Sequence, residues 1–295
     1  MHTRDNYPTR VAREPQLIYR NEDPVVWGQP GDGPLSAEQL AAHEANGFTD
    51  IAQLLEPEKL EAAQEELQQL LHDSSLDGDE RVVREKDSKE VRSVFDVHKI
   101  SSFFGELIRD ERIAGTARQI LGSDVYVHQS RVNYKPGFGG NPFYWHSDFE
   151  TWHAEDGMPR MRAVSLSLAL TENHHFNGSL MIMPGSHKTF VSCVGETPDD
   201  YYKSSLAEQE IGTPDQTSLR LLADKHGIKQ FTGAAGSATW FDCNCMHGSN
   251  GNITPTPRSN VFMVFNSVEN ACVEPFAAAK PRPTFIGARD FTPVG

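Results

Sequence analysis

His146 and Asp148, two residues apart, are answered by a second histidine, His247, roughly a hundred positions later. Few features limit a fold more. If the three side chains meet, two distant stretches of chain lie side by side. The His-x-Asp stretch must also be extended, because side chains two apart on a strand project to the same face. The third side chain then arrives from another strand. Two imidazoles and one carboxylate are the donor set that holds Fe(II) and leaves adjacent coordination positions open, whereas zinc sites more often use cysteine and close to a tetrahedron. The triplet alone arises by chance in any histidine-bearing chain. Its flanks carry the argument: it lies within Phe143-Tyr-Trp-His-Ser-Asp-Phe-Glu-Thr-Trp-His153, and Arg258 follows His247.

A zinc reading competes, because Cys243, Cys245 and His247 also fall two apart and His146 would complete a set of four. Cys-x-Cys-x-His is not a usual zinc spacing, and it leaves Asp148 and Arg258 without a role. Iron is the better reading. Most of the other histidines among the 12, such as His153, His174, His175, His187 and His226, are expected on the surface or in loops.

A chain of 295 residues can bury one large core, so 1–295 is expected to be a single domain. The net charge of −14 and pI near 5.3 disfavour nucleic acid as a partner. No apolar run is long enough to cross a membrane, and no apolar signal core follows the first residues. The expected setting is cytoplasmic, with four reduced cysteines.

Residues 1–34 read as an irregular N-terminal arm. Ser36 then caps a helix with Gln39 in the capping-box position and Gly47 as its stop. A second helix starts at Pro57, with Leu60, Ala63, Leu67, Leu70 and Leu71 as its apolar stripe. A third runs from Asp110 to Leu121 and ends at Gly122. From Asp124 the apolar period changes to two, predicting strands over 125–134, 163–170, 179–183, 231–241 and 258–267, with Asn177-Gly178 as a hairpin turn. Residues 195–230 form an insertion with a helix from Pro214 to His226, and 275–295 a Pro- and Gly-rich tail. The expected class is mainly β with flanking helices, on a jelly-roll core.

Three polar rows accompany the triad. Gln129, Arg131, Asn133 and Lys135 share one face of a strand. A solvated outer face is the ordinary reading, and the row makes chemical sense only inside a polar barrel. Arg258, Asn260 and Phe262 open the strand after His247, where a guanidinium can pair with a carboxylate in bidentate fashion. Ala163, Ser165, Ser167 and Ala169 form a small-residue face that either leaves room for a ligand or admits close packing. Of Trp145 and Trp152, one is expected in the core and the other as an aromatic wall for a cationic or ring-shaped substrate.

The seventeen residues from Phe143 to Pro159 closely resemble the signature of ectoine hydroxylases. Asn177-Gly-Ser-Leu-Met-Ile-Met-Pro-Gly-Ser-His187 resembles the wider phytanoyl-CoA dioxygenase-like superfamily. The resemblance runs from about Tyr19 to Pro281. It implies a double-stranded β-helix (cupin-like) core and a non-haem Fe(II)- and 2-oxoglutarate-dependent dioxygenase. Such enzymes convert L-ectoine to 5-hydroxyectoine with O2, releasing succinate and CO2, as part of compatible-solute synthesis under osmotic stress. The implied iron ligands are His146, Asp148 and His247. The implied 2-oxoglutarate contacts are Lys135 and Arg258 with Asn133 and Ser165, and the implied ectoine contacts are Gln129, Trp152, Asn260 and Arg282. A homodimer is implied as well. Two other readings stay open: a related hydroxylase of proline or another small amino-acid derivative, and a non-catalytic metal-binding β-barrel module.

Overall fold

The computed structural model describes residues 4–86 and 88–295. In chain order its strands are β1 (Leu17–Tyr19), β2 (Phe48–Ile51), β3 (Val82–Arg84), β4 (Val91–Phe95), β5 (Val125–Lys135), β6 (Phe143–His146) and β7 (Ala163–Ala169). There follow β8 (Leu180–Ile182), β9 (Thr189–Val191), β10 (Lys229–Gln230), β11 (Ala238–Asp242), β12 (His247–Ser249) and β13 (Arg258–Ser267). Seven form a major antiparallel sheet in the order β2-β11-β7-β13-β5-β4-β3, and four form a minor one in the order β10-β8-β12-β6. This is the sheet-rich jelly-roll architecture that the period-two segments predict, with helices on one flank.

Strand β7 explains the layering. All seven of its residues are buried, so both faces of the major sheet are covered. Val164, Leu166 and Leu168 point the same way as Val261, Met263 and Phe265 of β13 and Trp240 of β11, their partners in register. These residues share one apolar cluster with Ala63, Leu67 and Leu70 of helix Pro57–His72 and with Ile113, Ala117 and Ile120 of helix Glu111–Leu121. The other face turns toward the minor sheet, where Leu180 and Ile182 of β8 meet Phe241 and Phe262. That inner face carries Gln129, Arg131, Asn133, Lys135, Ser165, Ser167, Arg258 and Asn260. The polar row of β5 therefore lines a barrel interior, and its opposite face, with Val132 in the apolar cluster, is the helix-covered one.

The helix ends follow local chemistry. Ser36 and Gln39 exchange both bonds of a capping box, and Gly47 closes the helix Ala37–Asn46 at φ 81°, a conformation that costs glycine little. Asp110 caps the helix Glu111–Leu121 and Gly122 ends it.

Four expectations are corrected. The arm is not irregular throughout: β1 pairs with β9, and Tyr7, Thr9, Arg10, Asp23 and Val25 are buried. Asn177-Gly178 turns the chain but joins no hairpin, because β7 lies in the major sheet and β8 in the minor one, paired with β10 and β12. The strand expected over 231–241 begins only at Ala238, since the turn around Gly233 and Gly236 interrupts the ladder. The helix expected from Pro214 starts at Gln216, where Asp215 accepts from the N–H groups of Thr217 and Ser218. No helix among the described residues is long and apolar enough to cross a membrane.

Candidate functional site

His146 ends β6 and His247 begins β12, and the two are direct cross-strand partners in the minor sheet. Asp148 is not on the strand. It opens the short helix Asp148–Thr151, separated from His146 by Ser147 in an extended conformation (φ −108°, ψ 126°), which keeps both side chains on one side. The Ser147 hydroxyl donates to Asn244 Oδ1 at 2.9 Å and the Phe149 N–H to the Cys243 carbonyl at 2.9 Å. These bonds tie the His-x-Asp stretch to the turn that presents His247.

The ligand-capable atoms of His146, Asp148 and His247 lie within 4.8 Å of one another. Asp148 offers Oδ1 to His146 Nε2 at 3.6 Å and Oδ2 to His247 Nε2 at 3.8 Å. Each imidazole is oriented by a carbonyl two residues before it: His146 Nδ1 donates to Tyr144 at 2.6 Å and His247 Nδ1 to Cys245 at 3.0 Å. A carbonyl only accepts, so Nδ1 carries the proton and Nε2 keeps a free lone pair toward the shared centre. Burial pushes the His247 imidazole down to about 4, so it is neutral and ligand-ready at physiological pH. Burial works to raise the Asp148 carboxyl, but the positive charge that His247, His146 and Arg131 can place around it holds it below the ordinary carboxylate range. Two imidazoles and one carboxylate fit a divalent metal with three sites to spare.

The zinc reading does not survive this geometry. Among the described residues the triad is the one cluster with metal-ligating spacing. Cys243 packs with Tyr7 and Phe149, and Cys245 with Phe48 and Phe241. Burial pushes both thiols far up, away from the thiolate that zinc takes.

The open side of the triad faces a cavity of about 340 Å3 lined by His146, Asp148, Thr151, Trp152, Gln129, Arg131 and Arg282, with residues 205–209 of the insertion. Trp152 stands in a five-residue π-helical turn, Trp152–Asp156, a form frequent at functional sites. Trp145 packs instead against Met183, Val191, Leu222 and Met246. Arg282 clamps Asp156 through Nε at 2.8 Å and Nη2 at 2.5 Å. Gln129 donates to the Ile286 carbonyl at 2.7 Å. Asn260 is placed differently: it lines a second cavity of about 560 Å3 with Ser167 and Asn173, donates to Ser167 at 2.9 Å, and leaves its buried Oδ1 unpartnered.

Arg258 and Lys135 are direct partners across β13 and β5, and both are buried. Neither forms an ion pair among those between described residues. The Arg258 Nε donates to Asn173 Oδ1 at 3.1 Å, and Lys135 Nζ to the carbonyls of Asn141 at 2.6 Å and Asn250 at 2.8 Å. Burial pushes Arg258 down to about 10, and burial together with Arg258 and Arg92 pushes Lys135 down to about 6. Two adjacent buried basic groups without a carboxylate are costly to keep charged together unless an anion joins them. Nearby, Asn133 accepts from Ser93 at 2.8 Å, and the Ser165 hydroxyl is buried without a partner.

Sequence reasoning placed Arg131 in the polar row of β5 and gave it no role. Its half-buried guanidinium stands near Asp148, donates to Gln129 Oε1, lies 5.2 Å from the Phe262 ring centroid and leaves Nε unpartnered. Its alternation with Gln129 and Asn133 was the available signal.

A model of the phytanoyl-CoA dioxygenase family matches residues 43–260, and the chain belongs to that family. It is 63% identical over 291 residues to an ectoine dioxygenase of Streptomyces coelicolor, covering 98% of this chain and 97% of that one. It is 54% identical to an ectoine dioxygenase of Halomonas elongata, covering 96% and 85%. The crystal structure of EctD from S. alaskensis with 2-oxoglutarate and 5-hydroxyectoine superposes with a TM-score of 0.89 at 45% identity, covering 98% of this chain and 96% of that one.

Proposed function

We propose that this protein is an Fe(II)- and 2-oxoglutarate-dependent dioxygenase that hydroxylates L-ectoine to 5-hydroxyectoine, with release of succinate and CO2. One observation carries the reading: an open His146–Asp148–His247 set borders a cavity walled by Trp152 and by Arg282, in a chain this similar to ectoine dioxygenases. A metal-binding module without catalysis has no need of coordination positions left open beside a cavity. A proline hydroxylase would need a seat for a saturated ring amine, which the tryptophan wall does not favour over a delocalised amidinium.

His146, Asp148 and His247 would hold the iron, which when bound supplies the chemistry that splits O2 and places one oxygen atom in a C–H bond. The chain's residues do the rest. Arg258 and Lys135 take the distal carboxylate of 2-oxoglutarate, with Asn133 and Ser165 beside it. Trp152 covers the ectoine ring, Gln129 fixes a polar edge, Arg282 turns its remaining N–H groups to the substrate carboxylate, and Asn260 serves from deeper in the barrel. Walls and insertion together exclude water from the reacting atoms. The remainder of the proposal is a single-domain homodimer, acting in the cytoplasm in the osmotic-stress response on a small-molecule substrate, without nucleic acid or membrane as partner. It rests on the resemblance and on the charge of −14.

The direct test is anaerobic incubation with Fe(II), 2-oxoglutarate and ectoine, followed by air and mass spectrometry. A product heavier by one oxygen, with stoichiometric succinate, is expected; proline converted in preference to ectoine would overturn the substrate.

Two expected results belong to this site. Trp152→Ala loses most ectoine turnover while iron and 2-oxoglutarate still bind. The lost cation–π attraction is about 0.5–2 kcal/mol, and misplacement near the metal adds to the loss in rate. Unchanged ectoine kinetics would make Trp152 a packing residue. The second concerns pH. With Lys135 pushed down to about 6, the free protein at neutral pH carries it mostly uncharged. A bound carboxylate raises that pKa, so 2-oxoglutarate binding takes up a proton, and affinity falls as pH rises above 6. Calorimetry in buffers of different ionisation enthalpy reads the uptake, and Lys135→Met abolishes it. Proton-neutral binding in the unmodified protein would place the anion elsewhere.

A further inference from the structure

The helical stretch 148–156 has two sides. Asp148, Thr151 and Trp152 line the cavity, while Phe149, Glu150, His153 and Glu155 are buried on contacts made largely by the N-terminal arm. Two buried carboxylates so close together need a cation, and both have the same one. Arg10 reaches Glu150 through Nε at 3.0 Å and Nη2 at 2.8 Å, and Glu155 through Nη1 at 2.7 Å. Neighbouring arm residues extend the brace. Thr9 donates to Glu150 at 2.7 Å, Asp5 meets His153 Nε2 at 3.0 Å, and the Tyr7 ring stands edge-on to Phe149 at 5.3 Å.

The same guanidinium touches the stretch that roofs the cavity. Arg10 Nη1 also donates to Thr197 Oγ1 at 2.9 Å, and a Cβ placed on Gly212 would fall 2.3 Å from Arg10 Nη2, so the backbone there abuts the group. Residues 205–209, which line the cavity, lie between these two points in the chain. Gln209 then reaches Thr151 at 3.2 Å. Arg10 itself sits at φ 58°, a conformation rare for a residue with a Cβ, with its N–H on the Cys193 carbonyl at 2.8 Å. One buried side chain thus joins wall and roof of the cavity from outside it.

We propose that Arg10 is a positioning residue for the hydroxylation, holding the Trp152 turn and the 205–209 stretch in register over the substrate. It touches no substrate atom and acts through Glu150, Glu155 and Thr197. The role rests on the proposed ectoine chemistry, because a small ring leaves little area by which binding can reposition a loose wall. Loss of the brace admits water and lets the ring shift from the reacting geometry, while the Arg258–Lys135 pair on the major sheet is untouched.

Arg10→Met keeps the aliphatic stem and removes both ion pairs, and Arg10→Lys keeps one charge. The expected result for Arg10→Met is at least a tenfold rise in the ectoine KM and in the anaerobic calorimetric Kd for ectoine. More than two succinates should form per hydroxylated product, with the 2-oxoglutarate KM changed less than twofold. Arg10→Lys recovers part of the loss. Glu155→Gln, which leaves the Glu150 pair in place, gives the same pattern more weakly and decides the matter if Arg10→Met does not fold. Equal rises in both KM values alongside a lowered Tm would mark Arg10 as only structural, and unchanged ectoine affinity and coupling in folded variants would also overturn the role. Absence of ectoine turnover in the unmodified protein would instead overturn the functional reading on which this rests.

Discussion

Replacing His146, Asp148 or His247 with alanine abolishes hydroxylation and leaves the fold intact. Each change removes one of three protein donors from a site whose described surroundings hold no spare ligand. His247 is the most informative position. Its Nε2 is held toward the centre by the Cys245 carbonyl behind it, and alanine there removes a donor that no neighbouring side chain replaces. Bound iron, measured by metal analysis after anaerobic loading, falls with activity in all three variants, while far-ultraviolet circular dichroism stays unchanged. Cys245→Ser provides the contrast. The thiol packs with Phe48 and Phe241 and donates to the Gly47 carbonyl at 3.2 Å, a bond that a hydroxyl can make, so iron content and most activity persist. Loss of metal from the serine variant would restore the zinc reading, and full activity in any one of the alanine variants would sink the triad.

Arg258→Ala raises the 2-oxoglutarate requirement by the cost of stripping one partner from a buried charge pair, about 2–5 kcal/mol, while the ectoine KM at saturating cosubstrate moves little. The size follows from burial. Arg258 is buried, and its one side-chain bond is to Asn173 Oδ1, so little else screens or replaces a bidentate carboxylate contact. Lys135 alone offers a point charge without the guanidinium's planar fork, and Arg258→Lys therefore recovers only part of the loss. Steady-state titration of 2-oxoglutarate checks the split, and an unchanged requirement would move the anchor to Lys135 or Arg131.

What was legible in the sequence is what local chemistry determines. Ser36 with Gln39, Pro57 and the glycines at 47 and 122 mark helix ends through bonds spanning a few residues. The His-x-Asp pair declares its geometry because the extended Ser147 lies between its members. Features that depend on distant partners were not legible. The row Gln129–Lys135 has the same pattern whether solvent or a barrel interior lies over it, and only the facing minor sheet decides. The short strand Val91–Phe95 carries no alternation of its own and exists through pairing with β5. The arm was read as irregular because its strand has three residues and its buried charges are answered by Glu150, Glu155 and Asp242, all far along the chain. Glycines 233 and 236 were visible, yet the apolar residues around them suggested a continuous strand.

The division of labour between the two sheets makes the barrel a gauge of molecular length. The histidines of the triad belong to the minor sheet and the paired basic residues to the major one, and stacked sheets stand about 10 Å apart. A keto acid that ligates at one layer and ends in a carboxylate at the other must match the part of that gap which the side chains leave open. Shortening its carbon chain by one is expected to leave the cations unmet, and lengthening it by one to force the chain to buckle. Selectivity for the cosubstrate's length is then written in backbone architecture, and drift in the residues around the substrate cavity can alter what is hydroxylated without altering what is consumed to do it.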